Sequence, residues 1–508
     1  MDIKLTFPKY KLFEYEKELA FRELEIATSC EGEIIKGQSG ASFTLASDKI
    51  DDVLERLKKL TYFEKINFDE QEVFTYQAEL EKSCPKSGTS KRQTTRYGAH
   101  GLHEYKGKFN PQIVSSIIQI FNLPDNSIIL EPFCGSGTTL YESSIKNHTA
   151  IGFDFNPLAV YLANTKLSST DIGIERAIFF EVINVSRLNF QDTEIASDER
   201  GEYLKKWFEN EQLLKIETLL NNTYLHIQNE QQRDTLLCIA SNLIREYSLQ
   251  EPADLRIRRR KTELPAVCLY TVLEDKVNEF FNSVESVRRT SPFISSKKSG
   301  ESKAYNIDIR DTEGLQPFFS KFDAAITSPP YATALPYIDT QRLSLIWLKF
   351  ASPKEVKKLE NALIGSRELT KAEERQLREM LLHNENSIPE ELHKLCLTML
   401  NSLNEGDGFR RQAVPFLIYR YFADMKIMFE NVSKMMKKGA PFALVVGHNQ
   451  TTLGGVKFDL NTPAYLSEIA ENNGWKVREI ISLDVYHRYD LHSSNSINHE
   501  SLVILENQ

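Results

Sequence analysis

Two stretches of the chain carry residue types that could do chemistry. The first is EPFCGSGTT, residues 131–139, which follows the apolar run SIIL and leads into a helical pattern. Gly135, Ser136 and Gly137 therefore fall at a strand-to-helix turn. Glycine at two of these positions permits tight dihedrals and lets a ligand approach the backbone with no Cβ in the way. The stretch lacks the GK[ST] ending of a phosphate-cradling nucleotide loop. Further on, TAIGFDFNPLA reads as a second strand with Asp154 at its carboxyl end, where parallel sheets commonly bind ribose hydroxyls. A glycine turn followed by an acid at this spacing points to a cofactor that contains adenosine.

The second stretch, TSPPY at 327–331, follows FDAAI, which reads as a buried strand. Proline fixes φ and has no N–H, so a Pro-Pro pair beyond a strand leaves carbonyls rigidly placed outside any ladder. With EPFCGSGTT, this stretch resembles the Pro-Pro-aromatic motif of the amino-methyltransferases of nucleic acids, and rigid acceptors suit the chemistry that this resemblance implies. An exocyclic amine on a base is a weak nucleophile because its lone pair is delocalised into the ring. Two acceptors that hold both N–H bonds out of the ring plane return that pair to the nitrogen. Ser328 Oγ and the Pro329 carbonyl are the candidate acceptors, a preorganised stabilisation of the transition state. Pro330 stiffens the same turn, and Tyr331 is placed to stack on a base flipped out of its helix.

Together, EPFCGSGTT and TSPPY resemble the amino-methyltransferases of nucleic acids, which carry (D/N/S)PP(Y/F/W) after the catalytic strand. The resemblance covers roughly residues 101–167 and 303–508. It implies S-adenosylmethionine as cofactor, held by Glu131, Pro132, Phe133, Gly135, Ser136, Gly137, Thr138, Thr139 and Asp154. It further implies that GLHEYKGKFNPQIV closes over the methionine part through Phe109, Asn110 and Pro111, and that Asp308 in AYNIDIRD recognises the adenine amino group. The cofactor motif precedes the catalytic motif. That order is similar to DNA amino-methyltransferases with a target-recognition region between the two halves. Serine in first place of SPPY is similar to enzymes that methylate cytosine N4, whereas adenine-N6 enzymes more often have Asp or Asn there.

The elements that must position these residues read as an α/β chain. The expected core is a Rossmann-like methyltransferase sheet with helices on both faces, carrying a helical insertion and a small N-terminal α+β domain. The expected divisions are 1–85 for the α+β domain, 86–169 for a linker plus the cofactor-binding half, 170–300 for a helix-rich candidate recognition insertion, and 301–508 for the catalytic half. A charged helical excursion at 351–412 interrupts the last of these. YRYFADMKIMFENVSKMMKKGAPFALVVGHN reads as an amphipathic helix, a turn and a buried strand, and the C-terminal residues read as a loop and a final antiparallel strand. ALPYIDTQRLSLIWLK offers Tyr337 and Arg342 to the base pocket or the core, and Trp347, among Leu345, Ile346 and Leu348, reads as core.

Composition bounds the rest. With 508 residues, 41% of them hydrophobic, the chain can bury a large core. Six cysteines without CxxC spacing give no zinc site and no disulfide framework, which fits a reducing compartment. No apolar run approaches the roughly 18 residues of a membrane span, so no membrane partner and a cytoplasmic location are expected. A net charge of -9 leaves room only for local basic faces. Two stand out: the stretch with Lys91, Arg92, Arg96, Lys106 and Lys108, and RIRRRK with Arg256, Arg258, Arg259 and Arg260. Either could neutralise phosphates or form a solvated surface.

The expected function is site-specific methylation of double-stranded DNA at cytosine N4, alongside a restriction endonuclease or another defence-system partner. Three alternatives stay open: an adenine-N6 DNA methyltransferase, a tRNA guanine-N2 methyltransferase, and a nucleic-acid binder without turnover.

Overall fold

The computed structural model describes residues 1–29, 33–46, 50–82, 84, 93–169, 175–254, 257–290, 302–333, 336–484 and 499–508. Two sheets organise the chain. The first is antiparallel and N-terminal: β1 (Asp2–Thr6), β2 (Ile35–Gly37), β3 (Gly40–Thr44), β4 (Lys65–Phe68) and β5 (Gln71–Phe74), in the order β2-β3-β1-β4-β5. The second has seven strands: β6 (Ile128–Glu131), β7 (Thr149–Phe153), β8 (Lys303–Tyr305), β9 (Ala324–Thr327), β10 (Pro441–Gly447), β13 (Trp475–Asp484) and β14 (His499–Asn507). Between β10 and β13 the chain makes a hairpin of β11 (Asn449–Leu453) and β12 (Val456–Leu460).

The seven-stranded order is β13-β14-β10-β9-β6-β7-β8. The five strands from β10 to β8 run parallel, and β14 lies antiparallel between β10 and β13. The sequence explains which strands are central. AAIT of β9 is buried at every position and PFALVVG of β10 at all but the first, the apolar runs a sheet covered on both faces requires. From β6 the chain winds outward through β7 and β8, then returns to lay β9 against the other side of β6. The winding thus reverses between β6 and β9, and a crevice opens beyond their carboxyl ends.

The N-terminal unit shares its core with this sheet. Ile3, Leu5, Leu19 and Leu24 cluster with Ile113, Val114 and Ile117 of the helix Pro111–Phe121 and with Ile129 and Ala443 of the sheet. Arg22 adds a bidentate pair to Glu479 of β13, at 2.6 and 2.7 Å.

The described residues between 175 and 290 include the helices Arg176–Asn189, Asn210–His226, Glu230–Ile244 and Leu269–Thr290. Their buried faces meet Tyr141, Leu158 and Leu162 of the helices Thr138–Ile145 and Pro157–Ser168. Arg200 ties this bundle to the helix Tyr337–Trp347, which follows TSPPY: it pairs with Glu217 at 2.7 and 2.8 Å and donates to the carbonyls of Ile346 and Trp347. Trp347 is fully buried there. The helices Pro353–Ala362 and Lys371–His383 of the excursion both begin with capping boxes, Ser352 with Glu355 and Thr370 with Glu373.

One glycine of the first turn is fixed by packing. Gly137 has φ +76°, and a Cβ there would stand 2.7 Å from Ala163 Cβ, where the helices Thr138–Ile145 and Pro157–Ser168 meet. Replacing Gly137 with Ala is expected to lower stability by about 1–3 kcal/mol. Urea unfolding measures it, and an unchanged midpoint would contradict this account of the turn.

Candidate active site

The carboxyl ends of β6, β7, β8 and β9 open into one cavity, whose empty space of about 910 Å³ includes the solvent at its mouth. Pro132 to Ser136, Thr138 and Thr139 come from the turn after β6, and Asp154 to Asn156 follow β7. Ile307 to Arg310 follow β8, while Ser328 and Pro330 follow β9. Tyr105 and Phe109 close one side, Tyr337, Leu363 and Ile364 another.

The floor is built on two buried carboxyls. Gly135 N–H donates to Asp154 Oδ2 at 2.9 Å and Asn156 N–H to Oδ1 at 2.8 Å, so one acid joins the turns after β6 and β7. Gly135 itself has φ +47°, and a Cβ on it would press to 3.2 Å from the Tyr105 ring. Burial pushes the Asp154 carboxyl up to about 6, with the two N–H donors partly offsetting it. Glu131 accepts from Thr139 Oγ1 at 2.6 Å and from Phe133 N–H at 3.1 Å, and burial pushes it up to about 8. A bound cation would return both groups to their ionised forms.

S-adenosylmethionine fits this arrangement. The glycine turn leaves the backbone clear for a close ligand, Ile307, Ile309, Leu363 and Ile364 give an apolar slot for a purine, and Glu131 and Asp154 suit a ligand that carries positive charge.

The residues expected from sequence divide by where they stand. Phe109, Glu131, Pro132, Phe133, Gly135, Ser136, Thr138, Thr139, Asp154, Asp308, Ser328 and Pro330 line the cavity; Asn110, Pro111, Gly137, Pro329 and Tyr331 do not. Asn110 instead caps the helix Pro111–Phe121, accepting from Gln112 N–H at 2.9 Å, with Pro111 as its first residue. Asp308 is engaged by a neighbour the sequence reading missed. Arg310 forks onto it through Nε at 3.0 Å and Nη2 at 2.6 Å, and also meets Asp424 at 3.1 Å and the Ala362 carbonyl at 2.6 Å.

That last bond brings the excursion into the site. Leu363 and Ile364 follow Ala362 into the cavity wall. Gly365, φ +78°, lies so near the TSPPY turn that a Cβ would be 2.6 Å from the Tyr331 carbonyl oxygen. Arg420 Nη2 holds the Ser366 carbonyl at 2.7 Å, and Arg367 donates to the Thr333 carbonyl. The Tyr331 hydroxyl donates to Glu500 Oε1 of β14 at 2.7 Å. Asn449 Nδ2 donates to the Ala332 carbonyl at 2.9 Å.

The basic clusters are less open than their composition. Lys91, Arg92 and Arg256 lie outside the described residues. Arg96 is exposed, and Lys106 pairs with Glu104 at 2.5 Å. Lys108 lines the cavity, donating to the Thr95 and His100 carbonyls, and burial holds its ammonium well below the usual lysine range. Arg258 pairs with Asp254 at 3.0 Å, Arg259 lies 4.8 Å from the Trp207 ring centre, and Arg260 donates to the Ser248 carbonyl at 3.1 Å. Arg342 pairs with Asp339 and Glu360. Among the described residues no group of His, Cys, Asp and Glu could hold a metal ion, and no helix is long and apolar enough to cross a membrane.

A mainly parallel sheet, with one antiparallel strand inserted near its edge and a glycine-and-acid cavity at its switch point, defines a Rossmann-like methyltransferase fold. Residues 35–165 match the family model described as DNA methylase. That match, together with curated type II methyltransferases among the similar proteins, supports the likeness to S-adenosylmethionine-dependent DNA amino-methyltransferases. The chain is 32% identical over 174 residues to the type II methyltransferase M.MjaII of Methanocaldococcus jannaschii, covering 33% of this chain and 32% of that one. Over 423 residues it is 23% identical to M.BsoBI of Geobacillus stearothermophilus, covering 76% and 80%. Among solved structures, TrmN from Thermus thermophilus aligns over 100% of this chain and 99% of its own at 8% identity, with a TM-score of 0.33. The chain thus spans about a third of M.MjaII, and it spans 63% of M.MvaI of Kocuria varians.

The raised carboxyls have a measurable consequence. Affinity for S-adenosylmethionine is expected to rise with pH through about 6 and about 8, as Asp154 and Glu131 give up protons. Glu131→Gln should remove the upper part of that rise and weaken binding at pH 8 by roughly tenfold, the equivalent of about one pKa unit of interaction. A carboxyl raised in the folded state binds more protons there than when unfolded, so Glu131 costs stability progressively as pH climbs from the ordinary carboxyl range to about 8. The variant should therefore melt higher than the parent at pH 8. Calorimetry checks both effects, and a pH-independent affinity with an unchanged melting temperature would contradict them.

Proposed function

We propose that the chain transfers a methyl group from S-adenosylmethionine to the exocyclic amine of a base flipped out of duplex DNA, with cytosine N4 as target. The observation that carries this reading is shared space: Ser328 and Pro330 stand on the wall of the same cavity as Gly135, Ser136 and Asp154. Bound there, the cofactor supplies an electrophilic methyl group whose leaving group is a neutral thioether. The chain does the rest. Ser328 Oγ and the Pro329 carbonyl accept the two amine N–H bonds and turn the nitrogen lone pair toward the methyl group. They hold their places because β9 is buried along its whole length between β6 and β10. Tyr331 stacks on the base, its ring fixed by the bond from its hydroxyl to Glu500. A neutral serine, and no carboxylate, at the first position of SPPY favours cytosine N4, and the amine proton leaves to water after transfer.

In this reading residues 170–300 carry target recognition, the N-terminal unit braces the sheet, and the protein works in the cytoplasm. Lys91, Arg92, Arg96 and the RIRRRK arginines are proposed phosphate contacts. A restriction endonuclease partner is proposed from the type II designation of the relatives.

Incubation with tritiated S-adenosylmethionine, heterologous duplex DNA and unmodified transfer RNA, followed by digestion and mass identification of the labelled nucleoside, tests the reading. N4-methyldeoxycytidine is expected. N6-methyldeoxyadenosine would overturn the base assignment, and label only in methylguanosine would overturn DNA as substrate. Ser328→Ala should lower kcat by roughly 10²–10³ while cofactor affinity stays within about twofold of the parent, which calorimetry reads. Equal loss of both would remove Ser328 from the transition state.

The Tyr331 and Glu500 pair gives a separate outcome. Tyr331→Phe and Glu500→Gln should each lower kcat, and the double variant should lose little more than either single one, since both remove the same bond. Additive losses would contradict the coupling.

A further inference from the structure

We propose that the turn at residues 408–412, GFRRQ, is a duplex-DNA contact, with Phe409 as a wedge against bases or sugars and Arg410 and Arg411 on phosphates. This rests on the methyltransferase reading above and places part of the DNA interface where neither basic cluster of the sequence had put it. Phe409 is 78% exposed, more than any other aromatic described as exposed. Leaving a phenyl ring in water forgoes the stabilisation of burying it, so its exposure needs a cause.

Lack of order is not that cause. Asp407, only 4% exposed, accepts from Gly454 N–H at 2.8 Å and from Asn404 N–H at 3.1 Å, and Gln412 Nε2 donates to the Asp407 carbonyl at 3.0 Å. Gly454 packs so tightly that a Cβ on it would fall 1.7 Å from the Ser402 carbonyl oxygen. The backbone that presents Phe409 is thus fixed from both sides.

Position supplies the partner. The hairpin β11–β12 leaves the carboxyl end of β10, the edge of the sheet at which the cavity opens. Asn449, at the base of the hairpin, holds the Ala332 carbonyl of the catalytic loop, and Gly454, at its tip, holds Asp407. The hairpin is therefore a strut between the catalytic loop and the 408–412 turn. Five residues of strand span about 16 Å, or about five base-pair steps of 3.4 Å. The turn and the flipped base would meet the same duplex within half a helical turn.

Charge agrees. Arg410 is exposed, and Arg411, with its side chain 62% exposed, approaches Asp407 only to 3.9 Å. Of the two acids just before the turn, Asp407 is taken up by backbone N–H groups, leaving Glu405 as the exposed one. An aromatic side chain flanked by cations suits base steps flanked by phosphates.

The whole 508-residue chain is tested by anisotropy on fluorescent duplex DNA of a sequence that the wild-type chain labels. Phe409→Ala should weaken duplex binding by roughly tenfold without changing its salt dependence. The pair Arg410→Gln and Arg411→Gln should weaken it comparably and reduce the slope of log affinity against log salt by about two. Cofactor affinity and melting temperature should match the parent in both, because these side chains are exposed. Unaltered duplex affinity and slope in both variants would overturn the proposal while wild-type labelling of DNA stands. Failure of the methyltransferase reading shows itself elsewhere, as wild-type protein that labels no nucleic acid. Wild-type protein that binds transfer RNA and not duplex would overturn the partner.

Discussion

The site depends on one strand pairing. β9 lies beside β6 in parallel, with Ile129 opposite Ala324 and Leu130 opposite Ala325. That register brings Glu131 and Ser328, far apart in the chain, to the same edge of the sheet, so the glycine turn and the Pro-Pro turn face a common cavity. A one-residue slip would send every buried side chain of β9 to the opposite face of the sheet. Both strands are apolar and enclosed, which makes such a slip costly. Everything beyond the pairing acts to hold the two turns still: Asp154 joins the turns after β6 and β7, Arg310 fastens the excursion to Asp308, and Glu500 fixes Tyr331 from the far strand.

The same cavity shows function and stability pulling apart. Glu131 is buried, held by Thr139 and the Phe133 N–H, and raised to about 8, so its ionised form is disfavoured until a cation arrives. A nonpolar residue would pack there at lower cost. The carboxyl is understandable as a ligand group whose charge is stabilised only in the bound state, and Asp154 beside it follows the same logic with a smaller shift.

Much of this was legible in the sequence because some residues have few physical uses. Gly135 and Gly137 require positive φ, two consecutive prolines cannot sit inside a ladder, and an acid at the end of the second parallel strand has a commonplace role in binding ribose. The excursion was not legible. It read only as a charged helical interruption, and nothing in LIGSRE announces that Leu363 and Ile364 reach the cavity while Gly365 backs Tyr331. Glu500 was hidden for a similar reason: a carboxylate near the C-terminus gains meaning only when β14 inserts next to β10. Asn110 shows the reverse case, a residue suited to ligand contact whose side chain is spent on a helix cap. RIRRRK shows how composition overstates a basic surface, since Arg258, Arg259 and Arg260 each have a partner within the protein.

The central claim is that one cavity holds the cofactor and presents it to the Ser328 and Pro329 acceptors. A crystal structure of the protein grown with S-adenosylmethionine tests it most directly. The account predicts cofactor density running through the cavity, with its adenosine against Asp154 and its sulfonium end toward Ser328. Density for the cofactor anywhere else, or an occupied cavity with the sulfonium turned away from Ser328, would contradict it.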